Sequence, residues 1–348
     1  MYRHSSSNRL PFLVMIVVIV AAGAIFFLRD NRADRGFISR WSGNASALQS
    51  GGFTGDMSLV GNFQLVSGLE ALETYNQQST LQESVADGKL RFFHRSLPNG
   101  SLAYFVVQLR DPIHIEVINA DGATPGSDAQ GDTIWTDGQQ HLATVQEMVN
   151  APYAQREGMS LIGAMAFGFH GDIRTSNEGS VVINGTIHRV NPWRSTLCIT
   201  EAGYAAIGLF DEKQLGQCQQ AIGGGPVILW QNKIVRTDIH EETPDFLPFN
   251  PINEDFQELE WRKMIYDGSY PKTAIGVGSN PDGSSYLVMA VSYGIKGVDL
   301  AQQLKAMGCT VALGGDDDTS TQATWRGRPI RSNQVREVPD AIAIYVRN

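Results

Sequence analysis

The sequence predicts an α+β domain built on a mixed, largely antiparallel sheet with a few helices, preceded by one N-terminal transmembrane helix. Three observations predict it. Aromatic and β-branched runs recur along most of the 348 residues, helical periodicity is confined to short stretches so that no βαβ alternation develops, and one long uncharged apolar run lies near the start. A hydrophobic fraction of 42% and a charged fraction of 18% are those of a globular chain. With a formal net charge of −9 and no run of Lys or Arg, the chain repels phosphate polymers, so no nucleic-acid partner is expected.

Leu10 to Leu28, LPFLVMIVVIVAAGAIFFL, follows Arg3 and Arg9 and is long enough to cross a bilayer. It stays apolar through Phe26, Phe27 and Leu28, beyond the small residues Ala22 to Ala24, which favours a retained signal anchor over a cleaved signal peptide. Residues 1–9 then form a short inner tail, and the expected protein is single-pass with its C-terminal domain extracytoplasmic. Residues 29–57, rich in Gly, Ser, Asn and Asp, read as a flexible tether. Residues 58–89 are polar with weak helical periodicity and receive no element, so regular structure is expected from about Leu90 and the domain spans 90–348.

Ser101 to Leu109 and His114 to Ala120 read as two successive strands, and Leu142 to Ala151 as a helix. Ser160 to Phe169, Ser180 to Gly185, Tyr204 to Phe210 and Pro226 to Val235 follow as strands, the last turning at Gln231 and Asn232. Arg236 to Lys263 holds prolines no strand would accept and reads as a surface excursion. TAIGVG and SSYLVMAVS flank Asn280-Pro281-Asp282-Gly283 as a hairpin. Asp299 is the expected N-cap of a helix that presents Leu300, Leu304 and Met307 on one face and stops at Gly308. Cys309 to Leu313 is a short buried strand, and Ala341 to Val346 closes the domain. Cys198 and Cys218 can pair in an oxidising compartment, leaving Cys309 as a buried thiol.

The densest negative charge is Asp316-Asp317-Asp318, a glycine-led loop past a strand end and followed by Thr319 and Ser320. Adjacent carboxylates need water, a cation or a hydrogen-bond donor. A solvated turn, an aspartyl-phosphate loop, a calcium loop and a glycosidase carboxylate all compete for it. Too few residues follow Ser320 for the phosphotransferase domain, and no glycine follows Asp318 to make an EF-hand loop. Gly223 to Pro226 suits close backbone approach to a ligand, although no Gly-Lys-Ser/Thr follows to make it a P-loop. His170 ends a strand beside Asp172 and is a candidate binding residue.

Several stretches fall in an order that resembles the phosphodiester glycosidase domain family: AMAFGFH (Ala164 to His170), GGGPVILWQNK (Gly223 to Lys233), PKTAIGV (Pro271 to Val277), SYGIKGVDLAQQLKAMGCTVALGGDDDTS (Ser292 to Ser320) and VREVPDAIAIYV (Val335 to Val346). The resemblance implies hydrolysis of sugar-1-phosphodiesters of the N-acetylglucosamine type, with a sugar phosphodiester or cell-surface glycan as partner. Carried over residue by residue, it makes Asp316 the catalytic carboxylate and Ser320 the residue shaping its loop. Lys272 and Arg336 would hold the phosphate, Gly224, Gly225 and Pro226 would wall the pocket, and Ser292 and Gly294 would lie nearby. This chain has Ala166 where the family has Asn, Lys272 where it has Arg, and Asp317, Asp318 and Thr319 where it has three glycines. No cofactor is required by this chemistry. Asp317 and Asp318 are the candidate ligands of a divalent cation, Ca²⁺ or Mg²⁺, which would offset their repulsion of an anionic substrate. The alternative is a non-catalytic carbohydrate or cell-envelope binding domain with a degenerate site.

Overall fold

The computed structural model describes residues 68–122, 126–127, 133–134, 142–169, 178–256, 259–331 and 335–348. In chain order these form α1 (Gly68–Asn76), β1 (Thr80–Val85), β2 (Leu90–Leu97), β3 (Gly100–Gln108), β4 (Ile113–Asn119), β5 (Gly126–Ser127), β6 (Thr133–Ile134), α2 (Val145–Asn150), β7 (Met159–Ala166), β8 (Val181–Ile183), β9 (Thr186–Arg189), β10 (Thr196–Ile199) and β11 (Ala205–Gly208). There follow α3 (Glu212–Leu215), β12 (Gln220–Gly223), β13 (Val227–Trp230), β14 (Lys233–Arg236), β15 (Phe246–Pro248), α4 (Leu259–Asp267), β16 (Lys272–Ser279), β17 (Ser285–Tyr293), α5 (Gly297–Ala306), β18 (Val311–Asp317), β19 (Ala323–Trp325), β20 (Arg328–Pro329) and β21 (Asp340–Arg347). The α+β expectation holds: among the described residues every strand pair is antiparallel except β14 with β15.

A nine-stranded sheet runs β1-β2-β3-β17-β16-β18-β13-β14-β15, and two five-stranded sheets run β11-β10-β12-β8-β9 and β20-β19-β7-β21-β4. The middle strands of the large sheet are apolar without interruption because both faces are buried. In β17, Leu287, Met289 and Val291 enter a core shared with Met165, Leu197, Ile222 and Ile342 of the smaller sheets. The alternate residues Tyr286, Val288 and Ala290 meet Leu72 of α1 and Leu300 and Leu304 of α5. A third cluster packs Val145 and Met148 of α2 against Ala164, Ala343 and Tyr345. The expected disulfide joins Cys198 to Cys218, and Cys309 is a buried free thiol.

Several boundaries differ from the sequence reading. Among the described residues the first element is α1, ahead of the strand expected near Leu90; α1 buries only Leu72, Tyr75 and Asn76, and β1 is a largely exposed edge strand, so neither leaves a periodic signal. The strands on either side of Asp111 and Pro112 are consecutive but part company, β3 entering the nine-stranded sheet and β4 pairing with β21. The α5 helix starts earlier than read: Lys296 is the N-cap, and Asp299 takes the third helical position, accepting from the Lys296 N–H at 3.4 Å. The excursion from Arg236 to Lys263 contributes β15 and buries Ile252, Glu254 and Phe256. The expected membrane span, tether and tail lie outside the described residues, and among the described residues no helix is long and apolar enough to cross a membrane.

Candidate active site

β18 runs further than its apolar residues suggested and carries the first two aspartates. Its register with β16 shifts once: Ala274 faces Gly314 and Lys272 faces Asp317, so Thr273 alone opposes both Gly315 and Asp316. Such a bulge bends a strand and re-aims a side chain. Gly315 is needed there, since a Cβ would fall 2.4 Å from Thr273 Oγ1 and 2.6 Å from the Phe167 ring. Thr273 Oγ1 donates to the Asp316 carbonyl at 2.7 Å, and the Asp316 N–H donates to the Phe167 carbonyl at 2.9 Å. Asp316 is thereby fixed at the junction of the large sheet with the segment leaving β7.

The Asp316 side chain is 1% exposed and is gripped at both oxygens. Oδ1 accepts from the Asp317 N–H at 2.9 Å, and Oδ2 accepts from Arg336 Nη2 at 3.1 Å. Arg336 Nε donates to Ser320 Oγ, so one guanidinium bridges the two residues expected to be catalytic. The Arg336 loop is itself tied down: its N–H donates to Thr319 O at 3.0 Å, and Gln322 donates to its carbonyl at 2.7 Å. Gln322 also accepts from the Val145 N–H at 3.0 Å, linking this loop to the start of α2. Asp316, Ser320 and Arg336, separate in sequence, form one hydrogen-bonded unit.

The three aspartates are not equivalent. Asp317 retains 13% side-chain exposure, and its carboxyl is pushed up to about 7 by burial and by the Asp316 charge, against the pull of Arg262 and Lys272. Asp318 is exposed in the left-handed region at φ +52. Asp317 shares its surroundings with two cations, and among the described residues no group of three or more His, Cys, Asp or Glu side chains is arranged to hold a metal.

Lys272 is buried, and its ammonium donates to the carbonyls of Gly268 at 2.6 Å and Tyr270 at 2.9 Å, with Ile295 O at 3.5 Å. Burial lowers its pKa to about 8. Its charge is thus engaged by the main chain. Ser292, opposite Lys272 on β17, is buried with Oγ donating to the Lys272 carbonyl at 3.4 Å. Gly294 lies against the Asn99–Gly100 turn instead, where a Cβ would meet Asn99 O at 2.7 Å. His170 lies outside the described residues.

The glycine-rich turn lies close against its protein neighbours. Gly225 has φ +128, and a Cβ there would sit 2.8 Å from Glu254 Oε1; at Gly224 it would sit 2.6 Å from Gly314 O. Gly225 N–H donates to Gly314 O at 2.8 Å, and Gly314 N–H donates to Pro226 O at 2.9 Å, which brings the turn against β18. Glu254, absent from the sequence candidates, holds the turn from behind: its buried carboxylate accepts from the Val227 N–H at 2.8 Å, the Ser195 N–H at 3.3 Å and the Ser195 hydroxyl. Pro226, Thr273, Gly314, Gly315, Lys272, Asp317 and Arg262 line a cavity of about 30 Å³, room for a water-sized group but not for a pyranose ring.

Two buried arginines were also missed. Arg194 and Arg262 are each 4% exposed, with Cζ atoms 5.6 and 3.2 Å from the centroid of the Phe169 ring. Neither belongs to a motif; Arg194 follows the exposed Trp193, and Arg262 follows the exposed Trp261 on α4, so nothing in the linear pattern marks them as interior.

Comparison with known proteins bears on the same residues. Residues 159–345 match the profile of a family described as phosphodiester glycosidase, a span that contains Asp316, Ser320 and Arg336. The crystal structure of a hypothetical protein from Synechocystis superposes with a TM-score of 0.55 at 12% identity, covering 74% of this chain and 62% of that one, a likeness of fold alone. The zebrafish N-acetylglucosamine-1-phosphodiester alpha-N-acetylglucosaminidase catalytic domain, auto-inhibited by its pro-peptide, gives 0.49 at 15% identity, covering 76% of this chain and 81% of that one. Among curated protein sequences, none matches.

Proposed function

The chain belongs to the phosphodiester glycosidase family, and on that footing we propose that it hydrolyses the bond between a sugar's anomeric carbon and a phosphodiester oxygen. The observation that carries this reading is the Asp316–Arg336–Ser320 unit, a buried carboxylate whose two oxygens are fixed by a main-chain N–H and a guanidinium. In the reaction the anomeric carbon–oxygen bond breaks with its electron pair going to the phosphate, and water supplies the hydroxyl of the freed sugar. Asp316 faces the positive charge that develops on the anomeric carbon, by electrostatic stabilisation or direct attack. Arg336 sets which oxygen is presented. A phosphomonoester and a proton are the other products, and because phosphate leaves readily, strong acid assistance is not required.

The substrate class we propose is a sugar-1-phosphodiester of the N-acetylglucosamine type, within a cell-surface glycopolymer. We further propose that residues 10–28 anchor the chain and that its domain works outside the cytoplasm, which the Cys198–Cys218 disulfide supports because such bonds persist in oxidising compartments. The test is hydrolysis of an N-acetylglucosamine-α-1-phosphodiester by the detergent-solubilised chain beside Asp316→Asn. Turnover abolished by the substitution, with an unchanged melting temperature, is the expected result. Absence of turnover across a panel of sugar phosphodiesters would leave the binding-domain reading in its place.

A further inference from the structure

A phosphodiester substrate needs cationic partners, and the residues first expected to supply them are otherwise engaged. Lys272 donates to main-chain carbonyls, and Arg336 is divided between Asp316 and Ser320. Unspent donors are found on Arg262 and Arg194. Arg262 Nη2 and Arg194 Nε and Nη2 are buried without a hydrogen-bond partner among the described residues. Arg262 Nη1 stands 3.9 Å from Asp317 Oδ2, beyond hydrogen-bond reach, and Arg194 Nη1 donates to Asp255 O at 3.3 Å. Burial lowers the pKa of both guanidiniums, and the Arg262 charge lowers that of Arg194 further. Buried guanidinium donors left unmet are costly, and a planar fork is suited to a phosphate oxygen pair.

Position completes the case. Arg262 lines the cavity beside Pro226, Thr273, Gly314, Gly315 and Asp317, so its unmet donor and the bulge that presents Asp316 share one small space. Arg194 approaches the same Phe169 ring that Arg262 covers, and the Arg262 charge is felt at Arg194. Resting on the phosphodiester glycosidase reading above, we propose that Arg262, backed by Arg194, forms the phosphate-binding subsite, admitting a non-bridging oxygen of the diester and then one of the released phosphomonoester. Lys272 is then a structural cation that closes the loop between α4 and β16.

Inorganic phosphate is the probe, and the full chain is compared with Arg262→Lys, Arg194→Lys, Lys272→Met and Asp316→Asn by thermal unfolding and calorimetric titration. Phosphate at about 10 mM is expected to raise the melting temperature of the unaltered chain above that in chloride of equal ionic strength. Lys272→Met and Asp316→Asn should keep that response, whereas Arg262→Lys weakens phosphate binding about tenfold or more and Arg194→Lys weakens it less. If Arg262→Lys does not fold, the Arg194→Lys and Lys272→Met pair decides. A phosphate response lost with Lys272→Met but kept in either arginine variant would overturn the assignment, as would no phosphate-specific response in the unaltered chain. Because binding is read without turnover, a chain that binds phosphate through Arg262 but hydrolyses nothing would sink the enzyme reading and leave the subsite standing.

Discussion

Asp317→Asn should make this protein more stable at neutral pH and leave it unchanged in acid. The folded chain holds the Asp317 carboxyl near 7 instead of at its ordinary 3.8, first through burial and second through the Asp316 charge. A group whose folded value is raised keeps its proton in the folded state after the unfolded chain has released it. Stability is then whole below about pH 4 and falls as pH rises towards 7. At about 1.4 kcal/mol for each pH unit crossed, the ceiling is about 4 kcal/mol, and coupling to Asp316 reduces the expected value to about 2–4 kcal/mol. Asparagine cannot titrate. Equilibrium urea unfolding of both proteins, from about pH 4 to pH 7.5, should show curves that coincide in acid and diverge in favour of the variant towards neutrality. The window stops there because Lys272, lowered to about 8, begins to titrate beyond it. A constant difference across the range, or a variant less stable at the upper end, would show that Asp317 ionises without penalty.

Other outcomes follow from the same contacts. Arg336→Lys retains the charge but cannot bridge Asp316 and Ser320, so turnover of a sugar phosphodiester should fall about 10- to 100-fold with little change in melting temperature. Gly225→Ala places a Cβ 2.8 Å from Glu254 Oε1 at φ +128 and should cost about 2–4 kcal/mol in denaturant unfolding. Removing the Cys198–Cys218 bridge by double alanine substitution frees a 20-residue separation and should cost about 3 kcal/mol, read as a matching loss on adding dithiothreitol to the unaltered chain.

The hairpin β16–β17 and helix α5 were legible because local chemistry dictates them: Asn280 to Gly283 turn the chain, and Leu300 and Leu304 share a face that ends at Gly308. Asp316, Ser320 and Arg336 were legible as a group through the resemblance, and they meet in the structure. Glu254 was not, because it sits in a polar, proline-containing stretch whose burial depends on distant N–H groups at Ser195 and Val227. Arg262 was hidden for a related reason. A short helix with Glu260 exposed and Lys263 half-buried looks solvated, and Arg262 is turned inward by partners such as the Phe169 ring, brought from just past β7. Local periodicity reports on neighbours in the chain; these burials are set by partners far along it.

The placement of β21 dictates an order of assembly. It lies between β4 and β7, pairing Asp340 with Asn119 and Ile342 with Met165, so the middle of that sheet is made last in synthesis, about 220 residues after β4. Until it docks, β4 and β7 each present an open edge of main-chain donors and acceptors to any other strand nearby. Contacts of such long sequence separation form slowly. A nascent chain therefore passes through a sticky stage in which Arg336 has not yet reached Asp316, and aggregation competes with maturation there. Pulse-labelled hydrogen exchange should find the β4 and β7 amides protected together, in one late step with β21.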